Sequence, residues 1–370
     1  MPVLKKVLDS RELIPLLTLS DGSEVIADNW GKRRAELFEI LRENLYGYTP
    51  APPESVSGRV KFESVNAYAG KVMERHIDII FDTPAGDCTF PIDLFVPKSD
   101  KPLPVFLHLA FSNNCPDKYV PIEEITDNGF ALAILCYKDA VNDNLGGDYS
   151  DGLAKLYIRG ERKSNEWGKI GMWAYCASRV YDYLATLPEI NSERVAVVGH
   201  SRLGKTALWC GAQDERFWAA ISNNSGFGGA AIAKHGTGER VDDFRRCGSW
   251  DWFCPQYLSF IGCEDQLPYD QHMLLALIAP RLLAIGSAEL DKGADPESEF
   301  LAAYAASPVW ELLGHKGLVT PDELPSPGTI LTKGNIGYHL RSGGHFLSRA
   351  DWGRYMDFLK LKLKNKAAGI

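Results

Sequence analysis

A hydroxyl becomes a nucleophile when the backbone holds it clear of its neighbours and a base removes its proton. One stretch of the chain has the residue order for that: Arg194-Val195-Ala196-Val197-Val198-Gly199-His200-Ser201-Arg202-Leu203-Gly204-Lys205. Val195 to Val198 is uncharged and mostly β-branched, which suits a parallel strand covered on both faces. Gly199 lets the chain turn without a Cβ clash. Ser201 then stands at the apex, with its Oγ at the positive end of the helix that follows. Gly204 is small where that helix must pack on the strand, one position later than in the usual nucleophile elbow. Arg202 and Lys205 fall in the first helical turns, where each cation costs about 0.3 to 1 kcal/mol against the helix dipole. An anion, fixed or transient, has to compensate. Lys205, four residues beyond Ser201, shares its helical face. The competing reading makes Ser201 a plain helix N-cap.

A nucleophilic serine needs a base, a carboxylate that orients the base, and donors for the oxyanion. In a hydrolase sheet the order is Ser, acid, His, so the base is sought among His235, His272, His315, His339 and His345. His345 lies in the glycine-rich run Arg341-Ser342-Gly343-Gly344-His345-Phe346, between an expected last strand over 336–340 and a terminal helix from Asp351, and is the expected base. His339 sits on the strand itself and reads as structural. The segment Ser287-Ala288-Glu289-Leu290-Asp291-Lys292-Gly293-Ala294-Asp295-Pro296 offers three carboxylates. Asp295 precedes proline and reads as a helix N-cap. Asp291, just past the strand end, is the expected acid, with Glu289 as its alternative. An N–H from the turn Ala110-Phe111-Ser112 is expected among the oxyanion donors.

The elements that must carry these residues alternate. A helix is expected over 33–45, with Leu37, Phe38, Leu41 and Leu45 as its apolar stripe, ended by Gly47 and Pro50. Pro50 to Ser57 reads as a connector. Residues 71–96 read as an antiparallel lead-in that turns at Pro84-Ala85-Gly86. Buried strands follow over 105–109, 131–135, 194–198, 219–222 and 281–285, with a helix over 170–187. The pattern predicts a three-layer α/β sandwich around a mostly parallel, doubly wound sheet. Residues 1–50 are expected to be a helical covering segment and 51–370 one catalytic domain.

With 45% hydrophobic and 24% charged residues and a formal charge of −8, the 370-residue chain has no basic field for nucleic acid or anionic membrane, and no apolar run of spanning length. The cysteines Cys88, Cys115, Cys136, Cys176, Cys210, Cys247, Cys254 and Cys263 lack metal-site spacing, so neither metal nor cofactor is expected. Cys136, Cys176 and Cys210 read as core. The first residues carry no signal-like apolar region, which predicts a cytoplasmic protein, or a secreted one if a leader has been removed.

Gly199-His200-Ser201-Arg202-Leu203-Gly204-Lys205, Gly228-Gly229-Ala230-Ala231, Gly238-Glu239, Ala294-Asp295-Pro296 and Gly344-His345 resemble the glucuronoyl esterases of carbohydrate esterase family 15, from about Trp30 to the terminal helix. The resemblance implies a metal-free α/β-hydrolase that cleaves the ester between 4-O-methyl-glucuronic acid on xylan and alcohols of lignin. It implies Ser201 as nucleophile, His345 as base and Arg202 at the oxyanion, with Lys205 and Glu239 on hydroxyls of the uronate ring. Two departures stand out. Many members place the acid where this chain has Asn223-Asn224, and many have a sugar-facing tryptophan where it has Gly293. A sugar or xylan acetyl esterase on the same scaffold, or an inactive carbohydrate-binding relative, are the competing readings.

Overall fold

The computed structural model describes residues 2–114 and 117–367; Cys115, one of the scattered cysteines, lies outside the described residues. Among the described residues one sheet of ten strands has the order β1-β2-β3-β5-β4-β6-β7-β8-β10-β9. The strands β1 (Val56–Asn66), β2 (Val72–Thr83) and β3 (Gly86–Pro97) form an antiparallel apron that joins the rest through β3 and β5. The parallel body consists of β4 (Leu103–Ala110), β5 (Ala131–Cys136), β6 (Ile190–His200), β7 (Ala219–Asn223), β8 (Leu282–Ala288) and β10 (Ile336–Arg341). A two-residue β9 (Ile330–Leu331) pairs antiparallel with β10 at the far edge. The long helices are α1 (Trp30–Leu41), α2 (Lys169–Leu184), α3 (Arg202–Gln213), α4 (Pro296–Leu312) and α5 (Arg349–Ala367).

The expected layers are present, with differences at the edges. Strand β1 occupies residues 56–66, beyond what reads in the sequence as a short connector, and β6 extends to His200. Alternation along the parallel strands divides the core in two. Val105, Leu107, Val195 and Val197 face one hydrophobic cluster, while Phe106, Ala196 and Val198 face the other with Trp352 and Phe358 of α5. This is the two-sided burial that an uncharged parallel strand demands. Among the described residues no helix is long and apolar enough to cross a membrane.

The first fifty residues lie on the same core, through Leu16, Leu37, Leu41 and Tyr46. Helix α1 continues into a wider turn over Arg42–Tyr46 that Gly47 ends. The Tyr46 ring stacks on Trp209 of α3 at 4.1 Å and Phe38 stacks on the same indole at 5.2 Å. The covering helix thus backs the helix that starts at Ser201.

Helix α3 leaves β6 so tightly that a Cβ on Gly199 would sit 2.1 Å from the Leu203 carbonyl oxygen, and one on Gly204 3.0 Å from Ser222 Oγ. Glycine at 199 is therefore a packing requirement. The positive φ of the turn falls two residues later, on Ser201 itself. Gly199→Ala is expected to lower stability by about 3 kcal/mol or more. Gly293→Ala, whose new Cβ would meet only Asp291 Oδ1 at 4.0 Å, is expected to stay within about 0.5 kcal/mol. Denaturant midpoints of the two variants check the contrast.

Candidate active site

Ser201 adopts φ 56° and ψ −127°, a conformation that costs an L-residue about 1 to 3 kcal/mol. Local bonds hold it there. Its N–H donates to the Asn223 carbonyl at 2.9 Å, and its own carbonyl accepts from the N–H groups of Gly204 at 2.9 Å and Lys205 at 3.1 Å. The side chain makes no cap bond to α3, so the plain N-cap reading fails and the hydroxyl is left to the cavity beside it. That cavity, of about 210 Å³, is lined by Ser201, Lys205, Asn224, Glu239, Asp291, Gly293 and His345, among others. A larger groove of about 770 Å³ opens between the 50–56 connector and the ends of α2 and α3. Its Arg179 and Arg216 are already paired with Asp182 and Asp214, and it contains none of the expected nucleophile, base or acid.

His345 hangs from the loop between β10 and α5, about half exposed, with Nδ1 2.6 Å from Asp291 Oδ2. Asp291 lies in the loop after β8 and is 8% exposed. The same Oδ2 accepts from Asn224 Nδ2 at 2.8 Å. Burial pulls the Asp291 carboxyl upward, but the hydrogen bond and charge of His345, the Asn224 amide and the Ala294 N–H outweigh it and hold its pKa below the ordinary value. It is an acceptor at neutral pH. The structure brings Asp291 to the imidazole and leaves Glu289 outside the cavity lining, its N–H on the Arg341 carbonyl at 2.9 Å. Asp295 caps α4 as expected, accepting from Ser298 N–H at 3.2 Å and Thr237 N–H at 2.7 Å. His339 is buried, with Nε2 2.8 Å from Asp351.

The two cations at the start of α3 have fixed partners. Lys205, almost wholly buried, donates to the Ser225 carbonyl at 2.5 Å and to Glu239 Oε2 at 3.0 Å. Arg202 donates from a guanidinium N–H to Asp143 and lies 4.3 Å over the Trp252 ring. The Asp143 side chain is 4% exposed and also accepts from Tyr137 Oη and Trp252 Nε1, each at 2.8 Å. The anion that Arg202 requires is thus built in, although the sequence reading assigns that part to a developing oxyanion. Asp143 escapes the sequence because it lies 59 residues before Arg202, in a run rich in Gly, Asp and Lys with no periodicity. The turn after β4 contributes Phe111, whose ring lies 5.9 Å from the Arg202 guanidinium.

The model of the fungal glucuronyl esterase family matches residues 85–314. Carbohydrate esterase MZ0003, from an unknown prokaryotic organism, is 37% identical over 92% of this chain and 87% of its own length. The chain belongs to the glucuronoyl esterase family. A glucuronoyl esterase of Solibacter usitatus superposes with a TM-score of 0.86 at 34% identity, covering 94% of this chain and 97% of that one. A 4-O-methyl-glucuronoyl methylesterase of Schizophyllum commune is 29% identical over 80% of this chain and 72% of its own. As a member of carbohydrate esterase family 15, this glucuronoyl esterase is a carboxylic ester hydrolase with the α/β-hydrolase fold. The cytoplasmic placement expected from its first residues gains no support from these relatives.

One buried group braces the lysine side of the cavity. Glu299 of α4 accepts from Ser287 Oγ at 2.6 Å and from the N–H groups of Ser225 at 2.7 Å and Gly226 at 3.1 Å, fixing the turn whose carbonyl takes Lys205. Burial pushes its carboxyl up to about 7, against those hydrogen bonds and with help from nearby Asp291. The folded chain therefore holds this proton more tightly than the unfolded chain does. Its favourable contribution is complete below the unfolded carboxylate pKa and is lost as pH rises towards 7. Thermal midpoints between pH 5 and 8 are expected to fall less steeply in Glu299→Gln than in the wild-type esterase.

Proposed function

We propose that this esterase hydrolyses esters of glucuronic or 4-O-methyl-glucuronic acid on glucuronoxylan or its oligosaccharides, through an acyl-enzyme on Ser201. The observation that carries the reading is one cavity lined by Ser201, His345 and Asp291 together with Lys205 and Glu239. The first three are the parts of acyl transfer. The buried ammonium and the half-exposed carboxylate offer a donor and an acceptor to ring hydroxyls. Relatives such as the 4-O-methyl-glucuronoyl methylesterase of Schizophyllum commune support a uronate ester as the substrate. Residues 1–50 act as the cover and 51–370 as the catalytic domain.

In the first step His345 takes the Ser201 proton through Nε2 while Asp291 holds Nδ1, and Ser201 Oγ attacks the ester carbonyl. Negative charge on the carbonyl oxygen is met by the Arg202 N–H and guanidinium, which Asp143 and Trp252 hold ready, and by an N–H of the turn after β4. Collapse expels the alcohol, which takes the proton from His345. Water, activated by the same imidazole, then releases the uronic acid from Ser201.

On a benzyl ester of glucuronic acid, Ser201→Ala is expected to abolish turnover. Asp291→Asn is expected to lower kcat by about 10²- to 10⁴-fold, with Glu289→Gln within about threefold of wild type; the reverse ranking would move the acid to Glu289. A higher rate on acetylated xylan oligosaccharides than on the uronate ester would overturn the substrate assignment. Space beside Gly293 is open, so Gly293→Trp adds a stacking surface for the sugar. Its KM for the uronate ester is expected to fall by about 2- to 10-fold, measured with initial rates.

A further inference from the structure

His345 is fixed at one atom and needs a second support. The bond from Nδ1 to Asp291 Oδ2 locates one point of the ring, about which the imidazole can still tilt. With 47% of its side chain exposed, His345 has little packing to prevent that. The ring that meets it is His200, centroid to centroid at 4.4 Å and inclined by 44°. His200 ends β6 and immediately precedes Ser201, so one short piece of backbone places both the hydroxyl and the surface beside the imidazole.

His200 is itself held on several sides. It is 3% exposed. Asn223 donates through Nδ2 to Tyr355 Oη at 3.0 Å, which turns its Oδ1 towards His200 Nδ1 at 2.7 Å. That arrangement makes Nδ1 the protonated nitrogen of His200. The Tyr119 ring is stacked at 5.9 Å, and Phe111 meets it edge-on at 6.1 Å. Titratable groups face it from β4 (His108), the loop after β8 (Asp291), the loop after β10 (His345) and α5 (Asp351). Burial, followed by His345, lowers its pKa to about 4 against the pull of Asn223, Asp291 and Asp351. It therefore places no second positive charge beside His345 when that ring accepts a proton.

We propose that His200 is a positioning residue for the reaction, its ring forming the wall that fixes the tilt of the His345 imidazole so that Nε2 addresses Ser201. This rests on the assignment of His345 as base, and the two can fail separately.

The test is initial-rate kinetics on the benzyl glucuronate ester, with thermal midpoints, for His200→Gln, His200→Phe and His345→Ala. Gln keeps a donor for Asn223 and lacks the ring; Phe keeps a ring and lacks the donor. Misaimed catalytic groups lose rate more than affinity. The expected result for His200→Gln is a kcat about tenfold or more below wild type, with KM within about twofold. For His200→Phe it is recovery to within about threefold. A His200→Gln kcat within twofold of wild type, or a Phe variant as impaired as the Gln variant, overturns the proposal. Should His200→Gln not fold, His200→Phe decides alone: kcat within threefold supports the ring, and a tenfold loss at an unchanged thermal midpoint overturns it. Full activity in His345→Ala would remove the base itself, and the proposal with it.

Discussion

The close approach of α3 to β6 is the constraint on which the site depends. With no room for a Cβ at Gly199 and only 3.0 Å for one at Gly204, the helix starts almost on top of the strand that feeds it. The reversal is then concentrated in a single residue, and Ser201 takes it with φ 56°. A residue under such strain persists only where its surroundings overdetermine it. Here the Asn223 carbonyl, the first turns of α3 and the aromatic stack of Trp209 on Tyr46 and Phe38 all press towards the same geometry. The serine is presented because the alternatives are blocked.

Charge is arranged on the same plan. Both cations at the start of α3 face an unfavourable dipole, and each has its carboxylate within the fold, Asp143 for Arg202 and Glu239 for Lys205. A guanidinium held between a buried carboxylate and an indole face has little reorganisation left to do when charge develops nearby, which is the condition for electrostatic preorganisation. The position of Asp143 is secured in turn by its neighbours. Lys169 forms a fully buried pair with Asp251 at 2.8 Å and donates to the Asn144 carbonyl at 2.9 Å. The segment from Asn142 onward is thereby tied to α2 and to the Trp250–Trp252 turn.

The sequence carries those parts of this arrangement whose physics is local. Ser201 is legible because a β-branched run, two close glycines and a first-turn cation pair occur within twelve residues. The pairing of His345 with Asp291 is legible because a hydrolase sheet constrains the order of a carboxylate and an imidazole along the chain, although the choice of Asp291 over Glu289 depends on where β8 ends. The strand β1 is not legible. Its side chains are mostly exposed, with Val60, Phe62 and Val65 open to solvent, so no buried face leaves an alternating pattern. Asp143 and the ring contact of His200 are hidden for a different reason: each is defined by a partner more than fifty residues away in the chain. A lone aspartate in a polar loop and a histidine at a strand end look ordinary until the fold assembles them.

A single carboxylate oxygen, Asp291 Oδ2, receives both the imidazole of His345 and the amide of Asn224. The ends of two adjacent strands, β7 and β8, therefore converge on one point. The imidazole responds to charge at that point and is indifferent to which strand delivers it. A carboxylate in place of Asn224 at the end of β7 would stand beside the same point, so this geometry offers one charge two addresses, on neighbouring strands.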